Sequence, residues 1–145
     1  MDTTRIRPIA ICLFRNENRI LVSEGFDTVK QSYYYRPLGG GIEYGEESEA
    51  AVLREIQEEV GVAVENVQSV GVIENIFTYE GKQGHEIVFV FDAEFSDKSL
   101  YELDEICCYE QEANIRFKAK WWSLDEIQEN GSRLVPKDLA NLLLS

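Results

Sequence analysis

Apolar positions recur along the chain in two periods, and the switches between them mark out the elements. Ile6 to Phe14 is an apolar-rich run of strand length. It is broken at Arg15-Asn16-Glu17-Asn18 and followed by Arg19 to Ser23, which predicts a hairpin. Residues 25–36 hold Gly25, Asp27, Gln31 and Ser32 before three successive tyrosines, a pattern that predicts a connecting loop. The best helical period covers residues 47–60, where Val52, Leu53, Ile56 and Val60 form one stripe. Gly61 stands where a left-handed C-terminal cap belongs. Val67–Tyr79 and His85–Phe95 predict long strands, with Gly81-Lys82-Gln83-Gly84 as their turn. Residues 96–112 are polar and acidic and predict a loop, and Ala113–Trp122 predicts a strand. Ser123-Leu124-Asp125-Glu126 has the capping-box pattern of a short helix, and Pro136 with Leu139, Leu142 and Leu143 predicts a last one. Strands, helix, strands and helices in that order predict an α+β fold, with residues 1–145 as one domain.

Composition changes the picture in one respect. Hydrophobic residues at 44% are ordinary for a globular chain, but 14 Lys+Arg against 27 Asp+Glu leave a net charge of −13. Such a chain repels a nucleic-acid polymer and an anionic membrane, so neither is expected as a partner. Met1-Asp2-Thr3-Thr4-Arg5 lacks a signal-peptide pattern. Three cysteines without a CxxC, Cys12 and the pair Cys107-Cys108, suggest reduced thiols and a cytoplasmic location.

Chemistry concentrates between residues 39 and 61. Glycine occupies four of the seven positions 39–45, a density that suits unusual backbone angles or close approach to another group. In the helix that follows, Glu55, Glu58 and Glu59 share one face at i, i+3 and i+4. Like charges so placed weaken an isolated helix by a few tenths of a kcal/mol. They also offer the several oxygen ligands that a hard divalent cation takes. A Glu-rich helix alone is more often a solvated face than a metal site; the glycine loop running into it shifts the balance toward the metal. Arg54 is the natural partner of a nearby carboxylate, Glu43 or Glu46.

Gly40, five residues, Glu46, seven residues and Arg54-Glu55-Ile56-Gln57-Glu58-Glu59-Val60-Gly61-Val62 resemble the Nudix box at all nine specified positions. The resemblance implies an α/β/α sandwich with a mixed β-sheet between helices. It also implies a hydrolase that uses Mg²⁺ or Mn²⁺ to cleave a nucleoside diphosphate linked to another moiety, by metal-activated water attack on phosphorus. On it, Glu55, Glu58 and Glu59 bind metal and Arg54 orients the catalytic carboxylates. Glu46 supports the loop or an outer metal, and Gly39 and Gly40 lend backbone contacts beside it. The proton-accepting glutamate is either in the box, at Glu58, or in the acidic loop, where Glu112 and then Glu110 are favoured over Glu102 and Glu105.

Arg36 and Lys30 are candidate phosphate contacts by loop position, and Tyr33, Tyr34, Tyr35, Phe77 and Tyr79 candidate stacking surfaces. His85 reads as structural. The chain lacks the family's ADP-ribose proline, with Phe77 and Thr78 in its place, and the Ser-Gln-Pro-Trp signature of NADH pyrophosphatases. Tyr79 resembles the marker of dinucleoside polyphosphate hydrolases. Leu38 stands where proline is usual before the glycines. A nucleoside triphosphate or dinucleoside polyphosphate is therefore the expected substrate, with ADP-ribose or another nucleotide sugar as the alternative, on a monomer or homodimer. A nucleotide-binding module without catalysis and an acidic interaction domain are the rival classes.

The charge is also localised. Residues 40–62 carry seven glutamates and one arginine, residues 92–112 eight acids and one lysine, and the rest of the chain balances.

Overall fold

The computed structural model describes residues 4–144, so the first three residues of the segment read above for targeting lie outside the described residues. Strand β1 (Ile6–Leu13) settles the architecture by alternation. Ala10 and Cys12 join one core, whereas Ile9, Ile11 and Leu13 join another on the opposite face. A strand buried on both faces belongs at the centre of a sheet. β1 accordingly runs parallel to β6 (Lys82–Phe95) and antiparallel to β4 (Ser32–Gly41). The sheet order is β5-β6-β1-β4-β3-β8-β7, with β5 (Val64–Tyr79), β3 (Arg19–Asp27), β7 (Glu105–Glu110) and β8 (Ile115–Ser123).

Helix α1 (Ser48–Glu59) lays Ala51, Val52 and Ile56 on the first core. Ala51 takes the place expected of Leu53, which is 38% exposed. Gly61 has φ +74°, the left-handed stop that the sequence predicts. On the other face, Ile127 of α2 (Leu124–Glu129) and Leu139 of α3 (Leu139–Leu143) pack on the second core. Helices thus cover both faces of a mixed sheet. No described helix is long and apolar enough to cross a membrane.

Five segments differ from the sequence reading. The hairpin from Ile6 breaks up, because β1 turns away at its end and only the two-residue β2 (Arg15–Asn16) pairs with β3. Residues 25–36 form no loop. β3 and β4 extend through them, leaving a tight turn at 28–31 and burying Tyr35 at 2% exposure. The acidic stretch 96–112 contains a 3₁₀ turn at Lys98–Glu102 and then β7, whose Ile106 and Cys108 are buried in the first core. Pro136 precedes α3 by three residues instead of opening it, after a two-residue β9 (Arg133–Leu134) that pairs parallel with β4. The β5–β6 turn is tighter than expected: Glu80 and Gly81, both at positive φ, make it alone.

Two polar devices hold the ends of these elements. Ser123 Oγ accepts the Glu126 N–H at 3.0 Å, and Glu126 Oε1 accepts the Ser123 N–H at 3.1 Å, a complete capping box. Ser123→Ala is expected to lower the unfolding free energy by about 1 kcal/mol in urea denaturation. Buried Asp27 accepts N–H groups of Val29 and Lys30 at 3.0 Å and of Glu80 at 3.2 Å, tying the β3–β4 turn to the β5–β6 turn. The backbone donors, Lys30 N–H first, hold its pKa below the usual value. Its stabilising effect is therefore complete above the unfolded pKa of ~3.9 and lost as pH falls through the lower folded value. The melting-temperature gap between wild type and Asp27→Asn is expected to be widest at neutral pH and to close in acid.

Candidate active site

Gly39 and Gly40 lie at the end of β4, where it pairs with β1, and each is needed there for space. A Cβ on Gly39, which has φ +150°, would stand 2.1 Å from the Ala10 carbonyl oxygen. One on Gly40 would stand 2.5 Å from Cδ of Glu55. The α1 carboxylates can therefore press against the strand backbone. Leu38, where proline is usual, is 2% exposed in the first core, so the departure serves packing.

Arg54 organises the face. Its Nε and Nη2 donate to the two oxygens of Glu46 at 2.8 and 2.9 Å, and Nη2 also to the Gly41 carbonyl at 3.0 Å. Nη1 donates to Glu55 at 3.0 Å and to Glu58 at 3.3 Å. Of the two carboxylates expected beside it, Glu46 is thus the direct partner, while Glu43 stands 3.9 Å away and 72% exposed at its side chain. The Arg54 guanidinium and the Glu43 N–H push the Glu46 pKa down to about 2.

Glu59 lies beyond that guanidinium. It is 9% exposed and accepts the Gly39 N–H on Oε1 at 3.1 Å. Burial, and next the charge of Glu55, push its pKa up to about 8, against the pull of Arg36 and of Gly39. Burial also raises Glu55, with Arg54 opposing and Glu58 and Glu110 adding to the rise. Glu110 therefore faces this cluster from the end of β7. Alternation explains its placement, since Glu110 continues the face of Ile106 and Cys108 toward α1. Glu112 is exposed in the following turn, and its backbone N–H donates to Glu110 Oε1 at 3.2 Å. Glu105 pairs with Lys118 at 3.0 Å. Of the loop glutamates, the cluster thus gathers Glu110 and not the favoured Glu112; period two in 105–110 was the signal available.

No ready-made cage of three or more His, Cys, Asp or Glu side chains is found among the described residues. The donor set nevertheless suits a hard cation. Glu55, Glu58 and Glu59 are all oxygen donors on one helix face, Gly40 leaves the gap that Glu55 fills, and Glu59 is a buried carboxylate short of positive charge.

A cavity of about 840 Å³ lies on the sheet face away from α1, lined by Ile9, Ile11 and Leu134 of the second core. Arg36, Phe77 and Tyr79 all line it, and Arg36, by its pull on Glu59, joins it to the carboxylates. Tyr79 meets Tyr34 edge-on at 5.8 Å. Arg7, Arg133 and Lys137 line the same cavity. No local pattern announced them, because β9 and the start of β1 meet only in the fold.

A family profile described as NUDIX domain matches residues 4–141. A protein of Pseudomonas aeruginosa named NAD-capped RNA hydrolase NudC is 30% identical over 142 residues, 97% of this chain and 45% of that protein. The chain thus spans about half the length of that curated relative. A MutT NUDIX hydrolase structure from Burkholderia pseudomallei superposes with a TM-score of 0.59 at 24% identity, covering 84% of this chain and 86% of the other. The mutator MutT protein of Bacillus halodurans gives 0.61 at 22% identity, over 96% and 83%. These two likenesses show the fold.

Gly40→Ala tests the fit between strand and helix. The obstacle to its Cβ is the end of a flexible side chain, so the protein is expected to fold while the Glu55 carboxylate swings away. Mn²⁺ affinity by calorimetry should fall roughly tenfold or more.

Proposed function

The chain belongs to the NUDIX family, and on that premise we propose that it is a Mg²⁺- or Mn²⁺-dependent pyrophosphohydrolase acting on a nucleoside diphosphate linked to another moiety. The observation that carries this is the placement of Glu55 against Gly40 and of Glu59 on the Gly39 N–H, with Glu58 sharing the Arg54 guanidinium with Glu55. Glu110 is in electrostatic reach of Glu55 and Glu59, and Arg36 lines a nucleotide-sized cavity beyond. Glu55, Glu58 and Glu59 hold the cation. When bound, it neutralises the diphosphate and polarises its phosphoryl oxygens.

The protein's own groups supply the rest. Arg54 keeps Glu55 and Glu58 side by side on α1. Glu110 is the general base: its Oε1 is engaged by the Glu112 N–H, and its Oε2 takes the proton from the water that attacks phosphorus. Arg36 binds a phosphate oxygen, and Phe77 with Tyr79 flanks the nucleoside. A small nucleotide is favoured over a polymer because the chain carries −13. The lack of a Ser-Gln-Pro-Trp signature argues against assigning it the substrate in the Pseudomonas relative's name.

Glu58→Gln and Glu59→Gln are expected to fold as wild type and to lose turnover by about 10²-fold or more, since both remove charge from the metal-holding face. Wild-type rates in both variants would overturn the mechanism. For the base, Glu110→Gln should lower kcat by 10²- to 10⁴-fold, whereas Glu112→Gln should change it little. Phosphate release on a nucleotide panel, with and without chelator, reads all four variants.

A further inference from the structure

The cavity is basic inside an acidic protein. It is lined by five of the chain's 14 Lys and Arg residues and by one of its 27 Asp and Glu. Four of the five are accounted for or exposed. Arg7 stands 3.9 Å from Glu86, the one lining acid. Lys30 Nζ donates to the Thr78 carbonyl at 2.7 Å, Arg36 is exposed, and so is Lys137. Arg133 is different. Its Nε is buried without a hydrogen-bond partner, and its guanidinium makes no ion pair among the described residues. A guanidinium stays charged at any working pH, so a buried donor on it is costly unless an acceptor meets it. Its planar fork matches two oxygens of a phosphate.

Position along β4 says which phosphate. Gly39 and Gly40 mark the carboxylate end of the strand, Arg36 comes between, and Tyr34, the register partner of Arg133, lies at the far end. From Tyr34 to Gly39 is five residues, at most roughly 17 Å of strand. The group beside Arg133 is therefore separate from the diphosphate under attack. We propose, resting on the hydrolase reading above, that this cavity selects substrates bearing a phosphate monoester in addition to the scissile diphosphate, and that Arg133 is the specificity-determining residue that binds it, with Lys137 at the cavity wall.

The test measures binding, which does not depend on turnover. Calorimetry with the full chain compares nucleoside 2′,5′- and 3′,5′-bisphosphates of adenine, guanine and uracil with the matching 5′-monophosphates; the two series separate the possible positions of the extra phosphate. One bisphosphate is expected to bind about tenfold or more tighter than its monophosphate. That ratio should collapse toward one in Arg133→Gln, be partly retained in Arg133→Lys, and persist in Arg116→Gln, which removes a charge from the exposed face of β8. Equal affinities within every pair, no bisphosphate bound at all, or a preference unaltered in Arg133→Gln each overturn the assignment. The same preference should appear in turnover, NADP⁺ over NAD⁺ or coenzyme A over its dephospho form. A chain that binds with the expected ratio yet hydrolyses no diphosphate overturns the hydrolase reading and leaves the Arg133 assignment standing.

Discussion

The guanidinium of Arg54 serves four acceptors on three pieces of chain, and the rest of the site is arranged around it. Its two bonds to Glu46 fold the 42–47 loop, because Glu46 Oε1 also accepts the Glu43 N–H at 3.1 Å. Its bond to the Gly41 carbonyl fixes where β4 ends. Its bonds to Glu55 and Glu58 offset a like-charge repulsion that would otherwise weaken α1. The fourth carboxylate shows what happens outside its reach. Glu59, on the same helix, has only the Gly39 N–H and the distant Arg36 in its favour, and its ionisation is the one driven furthest from the ordinary range. One cation thus sorts the cluster into carboxylates already satisfied and a carboxylate that lacks positive charge.

β4 links that cluster to the cavity on the other face of the sheet. Its residues 38–41 pair with β1 while residues 32–37 pair with β3, so the strand passes from one half of the sheet to the other. Gly40 faces α1 on the first side, and Tyr35 is buried in the second core. A single strand therefore carries the backbone under the carboxylates, the arginine between the regions, and the pairing edge for β9. The alternation of β1 does the complementary work of keeping two cores apart, so that α1 and the cavity occupy opposite faces.

Features legible in the sequence were those set by neighbours in the chain. Val52 and Ile56 of the α1 stripe, the left-handed Gly61 and the Ser123 capping box need only local geometry and stand where the pattern put them, whereas Leu53 turns outward and Ala51 packs in its place. Segments whose structure depends on a distant partner were not legible. β7 was hidden because its buried face is only Ile106 and Cys108, set among acids. β9 is two residues long and exists only because Tyr34 and Tyr35 lie beside it. The same limit explains the glutamates: composition offered Glu102, Glu105, Glu110 and Glu112 alike, and only the strand's period separates the one facing α1 from one tied to Lys118 and one in the turn. Box positions gave the carboxylate face of α1, but nothing near them pointed to Arg133.

On the proposed hydrolase reading, the distribution of charge favours a short anion over a long one. Acidic segments 40–62 and 92–112 hold the entire excess, and a long polyanion would have to lie across surface of its own sign to reach the proposed diphosphate site at Gly39–Gly40. Such repulsion is screened beyond about 8 Å at physiological salt, so it acts on whatever part of a ligand touches the surface and little on what stays outside. A ligand that fits within 840 Å³ leaves that surface and meets five cations against one acid. Its affinity then rests on contacts at low dielectric, where a guanidinium–phosphate pair is strong, whereas a polymer would rely on counterion release from a surface that has few cations to offer. On the proposed reading, the acidity first read as excluding anionic partners would exclude them by length, since the surplus acids lie in two segments while the cavity is lined by five cations and one acid.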